Sequence, residues 1–404
     1  MKNYCKVIAK RFLITLMLMS SFAGLKAQSY DFSSDFKQKT IYYTRLNATT
    51  VSVSSAFINC YWGKIEIPDT VRYDSVKYDV VAISNYAFAL SDSLTEVKIP
   101  ESVTTIGNFA FQTCPALIKV ELTDSIQTIA KGAFKGCLSL PSIKLPVKLT
   151  KVSNMCFMQC KALDSVVISN NITRVDTSAF ESCESLKHLV IDEPVSVIGK
   201  SAFRLCLSLN AIVLPNSVQT LEDFAFYASA SVHTAALGSD NNTALTFIGK
   251  SAFAYCTRLI KTTVYSSFPP KAYDDSFTGV EAKHILHVPC NSKPIYDTTD
   301  AWKLLNDTVE GKEIVEDCTG LANEDFSTPT ASLYPIPASN TITLEGDGIM
   351  EARICNLLGQ DIISTRPNGR LKSQIDVSTL SKGMYIVRLR FADGRNSSLK
   401  LQIK

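Results

Sequence analysis

The chain has 404 residues, 46% of them apolar and 20% charged, with a formal net charge of +3 at pH 7. Residues 1–27 carry five of the 41 Lys/Arg and no Asp/Glu, so the remainder sets 36 cations against 38 carboxylates, a net of −2. That balance leaves no electrostatic footprint for nucleic acid and no charge-based argument for a membrane surface.

The first 27 residues read as a cleaved export signal. Lys2, Lys6, Lys10 and Arg11 lead, Phe12 to Leu18 is apolar, and Leu25-Lys26-Ala27 ends in a small residue before Gln28. The apolar run is too short to span a bilayer. No later stretch reaches spanning length, so the mature chain is expected to have no transmembrane segment. Residues 28–80 keep no fixed period. Ile41-Tyr42-Tyr43, Thr49 to Ser54, Tyr61 to Pro68 and Tyr78 to Ile83 read as short strands. They predict an N-terminal β cap, because a repeat array exposes its last apolar face unless an atypical unit covers it.

From residue 81 to 280 one pattern recurs. Phe stands at 88, 111, 134, 157, 180, 203 and 226, always 23 residues apart, then at 253 and 277. Three places later comes Cys114, Cys137, Cys160, Cys183, Cys206 or Cys256, with Ser91 and Ser229 in two other copies. Six places after the Phe stands a Leu such as Leu140 or Leu209, with Val232 once. Apolar residues nine and eleven places on, such as Val166 and Ile168, predict one short strand per repeat with a buried face. Pro100, Pro146 and Pro215 end strands where pairing stops. The segment before the Phe carries a small residue, such as Ala110 or Ala202, and predicts a short helical or 3₁₀ turn. A period in this range means a solenoid whose turns bury their faces against one another.

The pattern Ile198-Gly199-Lys200-Ser201-Ala202-Phe203, followed by Cys206, Leu209, Ile212, Leu214 and Pro215, resembles the BspA-type leucine-rich repeat. The resemblance covers roughly residues 60–310 and implies an α/β solenoid, right-handed, with a parallel sheet on one face. It also implies a secreted or surface protein linked to adhesion and host interaction. Residues 281–317 resemble the terminal cap of such arrays, through Ile285 to Pro289, Tyr296 and Ala301-Trp302-Lys303. Residues 318–330 hold few large apolar residues and read as a linker.

Residues 331–404 change character. Alternating segments such as Thr341 to Leu344 and Tyr385 to Leu389, separated by Gly- and Asn-containing turns, predict a small all-β sandwich. Tyr334 to Ser339, Leu358-Gly359-Gln360 and Leu380 to Tyr385 resemble the C-terminal sorting domain of type IX secretion, with Ile336 where that family usually has Asn. The resemblance implies a partner in the type IX machinery. It places the protein outside the cell or on the outer-membrane surface of a Gram-negative bacterium. It also implies that the domain is commonly removed during export.

The chemical motifs point away from catalysis. Gly199-Lys200-Ser201 and Gly249-Lys250-Ser251 imitate a phosphate-binding loop, but the required upstream Gly is Pro194 or Ala244. His284, His287 and Cys290 are spaced three apart, which scatters them over both faces of a strand rather than around a metal. No nucleophile elbow or His-Glu-x-x-His helix occurs, so neither an enzyme nor a cofactor is expected. Six of the 12 Cys share one repeat position. Side chains on stacked strands lie parallel about 4.8 Å apart, which suits buried thiols better than disulfides. A Cys290–Cys318 bridge is left open.

The strand columns eight and ten places after each Phe point outward. They begin with charges that could pair across strands and then turn uncharged. Ser165, Val167, His188, Val190, Ala211, Val213, Thr234 and Ala236 form a partly apolar patch. Contiguous exposed apolar surface marks interaction sites, although Val also simply suits a strand and the insertion at 238–245 could fold over it. The expectation is non-enzymatic binding or adhesion to an extracellular protein or glycan, possibly host-derived. The alternatives are a structural or self-associating surface component and a secreted enzyme with a site not visible in the repeats.

Overall fold

The computed structural model describes residues 30–57, 59–168, 171–239, 243–305, 311–318, 331–335, 338–346, 349–356, 361–367, 372–391 and 396–404. The proposed export signal, the 319–330 part of the linker, and Leu358-Gly359-Gln360 lie outside these. The chain divides into two compact units. The first comprises residues up to 140 with 146–161 and 177–181, the second 141–145, 162–176 and 182–404.

In the first unit, the cap strands Phe32–Phe36, Lys39–Arg45 and Thr50–Ser54 pair antiparallel in sequence order. Thr50–Ser54 then pairs parallel with Val76–Ile83, and that strand continues into Thr105–Ile106 and Thr128–Ile129. A separate parallel sheet begins inside the expected cap: Gly63–Glu66 pairs with Leu94–Lys98, which pairs with Lys119–Glu121. One turn of the solenoid therefore lies N-terminal to residue 81. Its Phe position is taken by Tyr61, whose ring sits 4.5 Å from that of Phe88. The Tyr61 hydroxyl donates to the Ser54 carbonyl at 2.6 Å, which satisfies the polar end of a buried ring.

The core of the unit is a column of rings. Phe88, Phe111, Phe134, Phe157 and Phe180 are fully buried and stack face to face at 4.8, 5.1, 5.5 and 5.3 Å. Full burial contributes about 1.5–3 kcal/mol per such side chain. The ring contact adds roughly 0.5–1.5 kcal/mol.

Where a short helical or 3₁₀ turn is expected before each Phe, the structure has two back-to-back turns. Residues two before and two after the Phe take the left-handed conformation: Tyr86 and Leu90, Phe109 and Thr113, Met155 and Gln159. That conformation turns the N–H groups sideways, toward the next repeat rather than up a helix. Tyr86, Phe88 and Leu90 donate to the carbonyls of Asn108, Ala110 and Gln112 at 3.0, 2.7 and 2.8 Å. In the described repeats the backbone is therefore strand and turn; the helices lie in the cap, at Lys293–Thr298 and Asp300–Lys303.

The thiols complete the column. Cys114, Cys137 and Cys160 each donate S–H to the carbonyl of the preceding repeat's Phe: Phe88, Phe111 and Phe134, at 3.1, 3.2 and 3.2 Å. A position that needs a small donor explains the serine substitutes. Ser229 makes the same contact to Phe203 at 3.0 Å. Ser91, in the first copy, has no preceding Phe carbonyl to reach, and its hydroxyl lacks a protein partner among the described residues.

The second unit repeats this scheme. Phe203, Phe226, Phe253 and Phe277 stack at 5.3, 5.6 and 5.1 Å. Two-residue strands Arg174–Val175, Val197–Ile198, Thr220–Leu221 and Phe247–Ile248 form a second parallel ladder, which the one-sheet expectation missed. The strands Ala211–Leu214, Thr234–Leu237, Lys261–Val264, Ile285–Pro289 and Glu313–Asp317 form the other, five-stranded parallel sheet. Trp302 closes the ring column, 5.5 Å from Phe277, with its indole N–H donating to the Pro270 carbonyl at 2.7 Å. A disulfide joins Cys290 to Cys318, just beyond the ends of the paired strands Ile285–Pro289 and Glu313–Asp317.

The C-terminal residues form two antiparallel sheets. One holds Ser332–Tyr334, Thr341–Glu345 and Lys372–Asp376; the other holds Asp361–Thr365, Ile349–Cys355, Gly383–Phe391 and Asn396–Ile403. Ile342, Leu344, Ile354, Val387 and Leu401 are among the residues that bury their side chains in its core.

Burial pushes the Cys114, Cys160 and Cys256 thiols up to about 12. Cys137 and Cys156 are raised well above the usual range for the same reason. A thiol that cannot ionise does not react. The nine buried cysteines described outside the Cys290–Cys318 bridge should therefore be silent to a thiol reagent in native protein and all titrate after denaturation without reductant. Fewer than six released thiols would rule out the ladder.

Candidate binding face

The outward columns of the solenoid start charged. Glu66 and Lys98 are register partners and pair at 3.6 Å, and Lys64 pairs with its partner Glu96 at 3.2 Å. Lys37 adds a further ion pair to Glu66. Glu121 instead pairs within its own strand, with Lys119 at 2.8 Å. Such exposed pairs contribute little to stability, about 0–1 kcal/mol each, but they keep this end of the face polar.

The uncharged patch lies in the second unit. Strands Ser165–Ile168 and His188–Ile191 pair parallel, aligning Ser165 with His188 and Val167 with Val190. Strands Ala211–Leu214 and Thr234–Leu237 align Ala211 with Thr234 and Val213 with Ala236. The eight residues thus fall in two aligned groups. Val213 is 53% exposed. Ser165, Val167, His188, Val190, Ala211 and Thr234 are half-buried.

Ala236 is the exception, at 1% exposure. Its register partner Thr263 is buried too, at 4%, so the outward column is closed at these two strands and Ala236 offers no surface. Burial holds the His188 imidazole below its usual pKa, which keeps the patch uncharged at neutral pH. Beside the patch Lys187 pairs with Asp164 at 3.4 Å and Asp192 with Lys400 at 2.8 Å, while the Arg388 charge also lowers the His188 pKa.

The insertion after Leu237 is held past the strand end. Ser239 N donates to the Asn216 side chain at 2.8 Å and Ala244 N to the Asn216 carbonyl at 2.9 Å. Its residues 240–242 lie outside the described ones.

The other motifs resolve into structure. Gly249 of the Gly-Lys-Ser triplet packs so tightly that a Cβ there would meet the Asp223 backbone N at 2.4 Å, and Gly107 would meet Asn85 N at 2.6 Å. Glycine is present for close repeat packing, and the triplets bring no phosphate cradle. His284 is fully buried in the turn before its strand, with Nε2 and the Thr262 hydroxyl 3.0 Å apart. His287 stands on the strand as the register partner of Thr263 and Val315, and Cys290 is spent in the disulfide. The three do not converge. Among the described residues no His/Cys/Asp/Glu group could hold a metal ion, and no helix is long and apolar enough to cross a membrane.

A family model described as BspA type leucine-rich repeat region, in six copies, matches residues 81–206 and 175–299, over half of the chain. The chain belongs to the BspA-type leucine-rich-repeat family. Residues 332–404 match the secretion system C-terminal sorting domain, the type IX tail. A BspA-type array joined to that tail makes a secreted or cell-surface protein.

Solved structures of similar proteins include a leucine-rich cell surface protein of Faecalibacterium prausnitzii A2-165. It is 20% identical, with 72% of this chain and 96% of that one covered, at TM-score 0.40. Another is a leucine-rich-repeat protein of T. pallidum, 24% identical, with 58% and 91% covered, at TM-score 0.38. The family match and the strand register, rather than these superpositions, carry the fold. Among curated proteins, β-agarase D of Zobellia galactanivorans is 28% identical over 96 residues, 24% of this chain. The chain spans only 20% of that enzyme's length.

Reading the strands alone misses the turn face, where Tyr255 is 49% exposed. The signal for it is the aromatic residues within three places of the repeat Phe.

His284 gives a pH test. Burial lowers its pKa from 6.5 to about 4, so it stays neutral in the fold while the unfolded chain protonates. Stability from this group is full above pH 6.5 and falls as pH drops toward 4, by on the order of 3 kcal/mol. Melting curves from pH 7 to 4 should show that fall, and a His284→Gln variant should flatten it. An unchanged slope in the variant would place the acid sensitivity elsewhere.

Proposed function

We propose that this protein is a non-enzymatic binding protein displayed or released outside the outer membrane of a Gram-negative bacterium. Its repeat array adheres to an extracellular protein or glycan. The type IX machinery exports it through residues 331–404. The observation that carries the reading is the uncharged strip along the strand face, centred on Val190 and Val213. Lys187 and Asp192 beside it are paired, and Val213 is more than half exposed. A solenoid face offers many weak contacts in register rather than one pocket, which fits a broad partner surface.

The test is a binding screen of the full-length protein against matrix proteins, glycans and whole cells, with a Val190→Glu/Val213→Glu double variant beside it. Two carboxylates placed in a desolvated contact should weaken binding by at least about tenfold, or 1.4 kcal/mol. The variant's melting temperature should stay near that of the parent. Equal binding by parent and variant would remove the strand face as the site. A concentration-dependent dimer lost in the variant, with no outside partner, would favour the self-associating component instead.

A further inference from the structure

The turn face of the last repeats has surface chemistry of its own. In the second unit the rings of Phe224 and Tyr227 lie 5.6 Å apart, and those of Tyr227 and Tyr255 5.3 Å apart. Phe247 and Tyr273 add a second pair at 6.0 Å. Cations sit over these rings. Lys200 lies 5.7 Å from the Phe224 ring, Arg204 5.4 Å from Tyr227, and Lys250 5.2 Å from Tyr273. Lys271, exposed, is the register partner of Phe247.

The turns do not require these rings. Phe224 and Tyr255 both take φ +59°, a left-handed conformation that is costly for a bulky side chain. At the place of Phe224 three other repeats use Ser178, Ser201 and Ser251 and two use Tyr86 and Phe109, and at the place of Tyr255 one uses Ser182. Tyr255 is an exposed aromatic in a left-handed position where another repeat carries serine, and half-buried Phe224 stands beside it, which points to a role outside the fold.

The carboxylates nearby are engaged by the protein itself. Glu222 accepts from Arg174 at 2.7 Å and from Lys200 N at 2.9 Å. Asp223 accepts from Lys250 N at 2.9 Å, and Asp275 from the Ser251 N–H and hydroxyl at 3.2 and 2.8 Å. Asp274 is exposed, against exposed Lys200, Lys250 and Lys271. The fully exposed charges are thus three lysines to one aspartate, and the bonded carboxylates Glu222, Asp223 and Asp275 are half-buried.

The turn backbone is also occupied. Ser201, Leu205, Phe224 and Tyr255 donate their N–H groups to Asp223, Tyr227, Lys250 and Thr278 of the next repeat. A peptide strand finds no free ladder to extend here. Recognition falls to ring faces and cations.

We propose that this turn face binds an acidic polysaccharide. Its sugar rings would lie with their C–H faces on Phe224, Tyr227 and Tyr255, and its carboxylates or sulfates would pair with Lys200 and Lys250. A cation already held over a ring loses less side-chain freedom on pairing with an anion. The site is separate from the strand face and stands whether or not that face binds.

Affinity electrophoresis of the full-length protein tests it, in gels containing heparin, polygalacturonate, neutral dextran or poly-glutamate. The protein should be slowed by heparin or polygalacturonate and not by dextran or poly-glutamate. A Phe224→Ser/Tyr255→Ser variant uses residues that other repeats carry at these places. It should melt near the parent and bind the acidic polysaccharide roughly tenfold more weakly, as should Lys200→Gln/Lys250→Gln. The Val190→Glu/Val213→Glu variant should bind it as the parent does. No retardation by either acidic polysaccharide would overturn the proposal. So would equal retardation by poly-glutamate, which would mean an acidic peptide or charge alone. Unchanged binding in a folded ring variant, or in the lysine variant, would overturn it as well.

Discussion

The structure depends on one contact repeated along the chain: a phenylalanine stacked on the next phenylalanine, with a small donor three residues later reaching back to the previous carbonyl. In the first unit the spacing stays between 4.8 and 5.5 Å. The thiol suits the donor position because it packs as a small apolar group and still caps a carbonyl that would otherwise be half-satisfied. Serine does the same at Ser229. One repeat gains nothing from this contact by itself, so the two ends need special units. Tyr61 provides one ring-bearing end over Phe88, and Trp302 the other against Phe277.

With stability held by the buried column, the outer faces are free to carry recognition. On the strand face the outward columns shift from paired charges at Glu66 and Lys98 to uncharged residues at Val190 and Val213. On the turn face the left-handed positions take residues as different as Ser, Gly, Leu, Met and Tyr. Neither change touches the ring column. The sorting tail answers a different need: its core of Ile342, Ile354 and Val387 is its own.

Much of this was legible in the sequence because a 23-residue period exposes every buried position at once. The Phe column, the strand after it and the shared Cys position follow from spacing alone. The turn geometry does not. Left-handed residues such as Met155 and Leu205 carry no compositional mark, since their conformation is imposed by hydrogen bonds to the next repeat. The first solenoid strand, Gly63–Glu66, is hidden because the ring beside Phe88 comes from Tyr61, two residues before the strand's start, and not from a Phe at the repeat spacing. Ala236 belongs to an outward column by count, yet it and its register partner Thr263 are both buried, which periodicity does not signal. The Cys290–Cys318 bridge joins residues 28 apart through the cap's path, which periodicity does not describe.

The most direct measurement is hydrogen exchange on a Phe157→Ala variant. Removing one ring from the middle of the first unit's column should cost about 3–5 kcal/mol. Protection should then fall at the Phe111 and Phe134 amides as well as at Phe157, since each donates to the repeat that follows. Loss confined to residues 150–162, with the denaturation midpoint unchanged, would contradict the claim that the stacked column holds the array together.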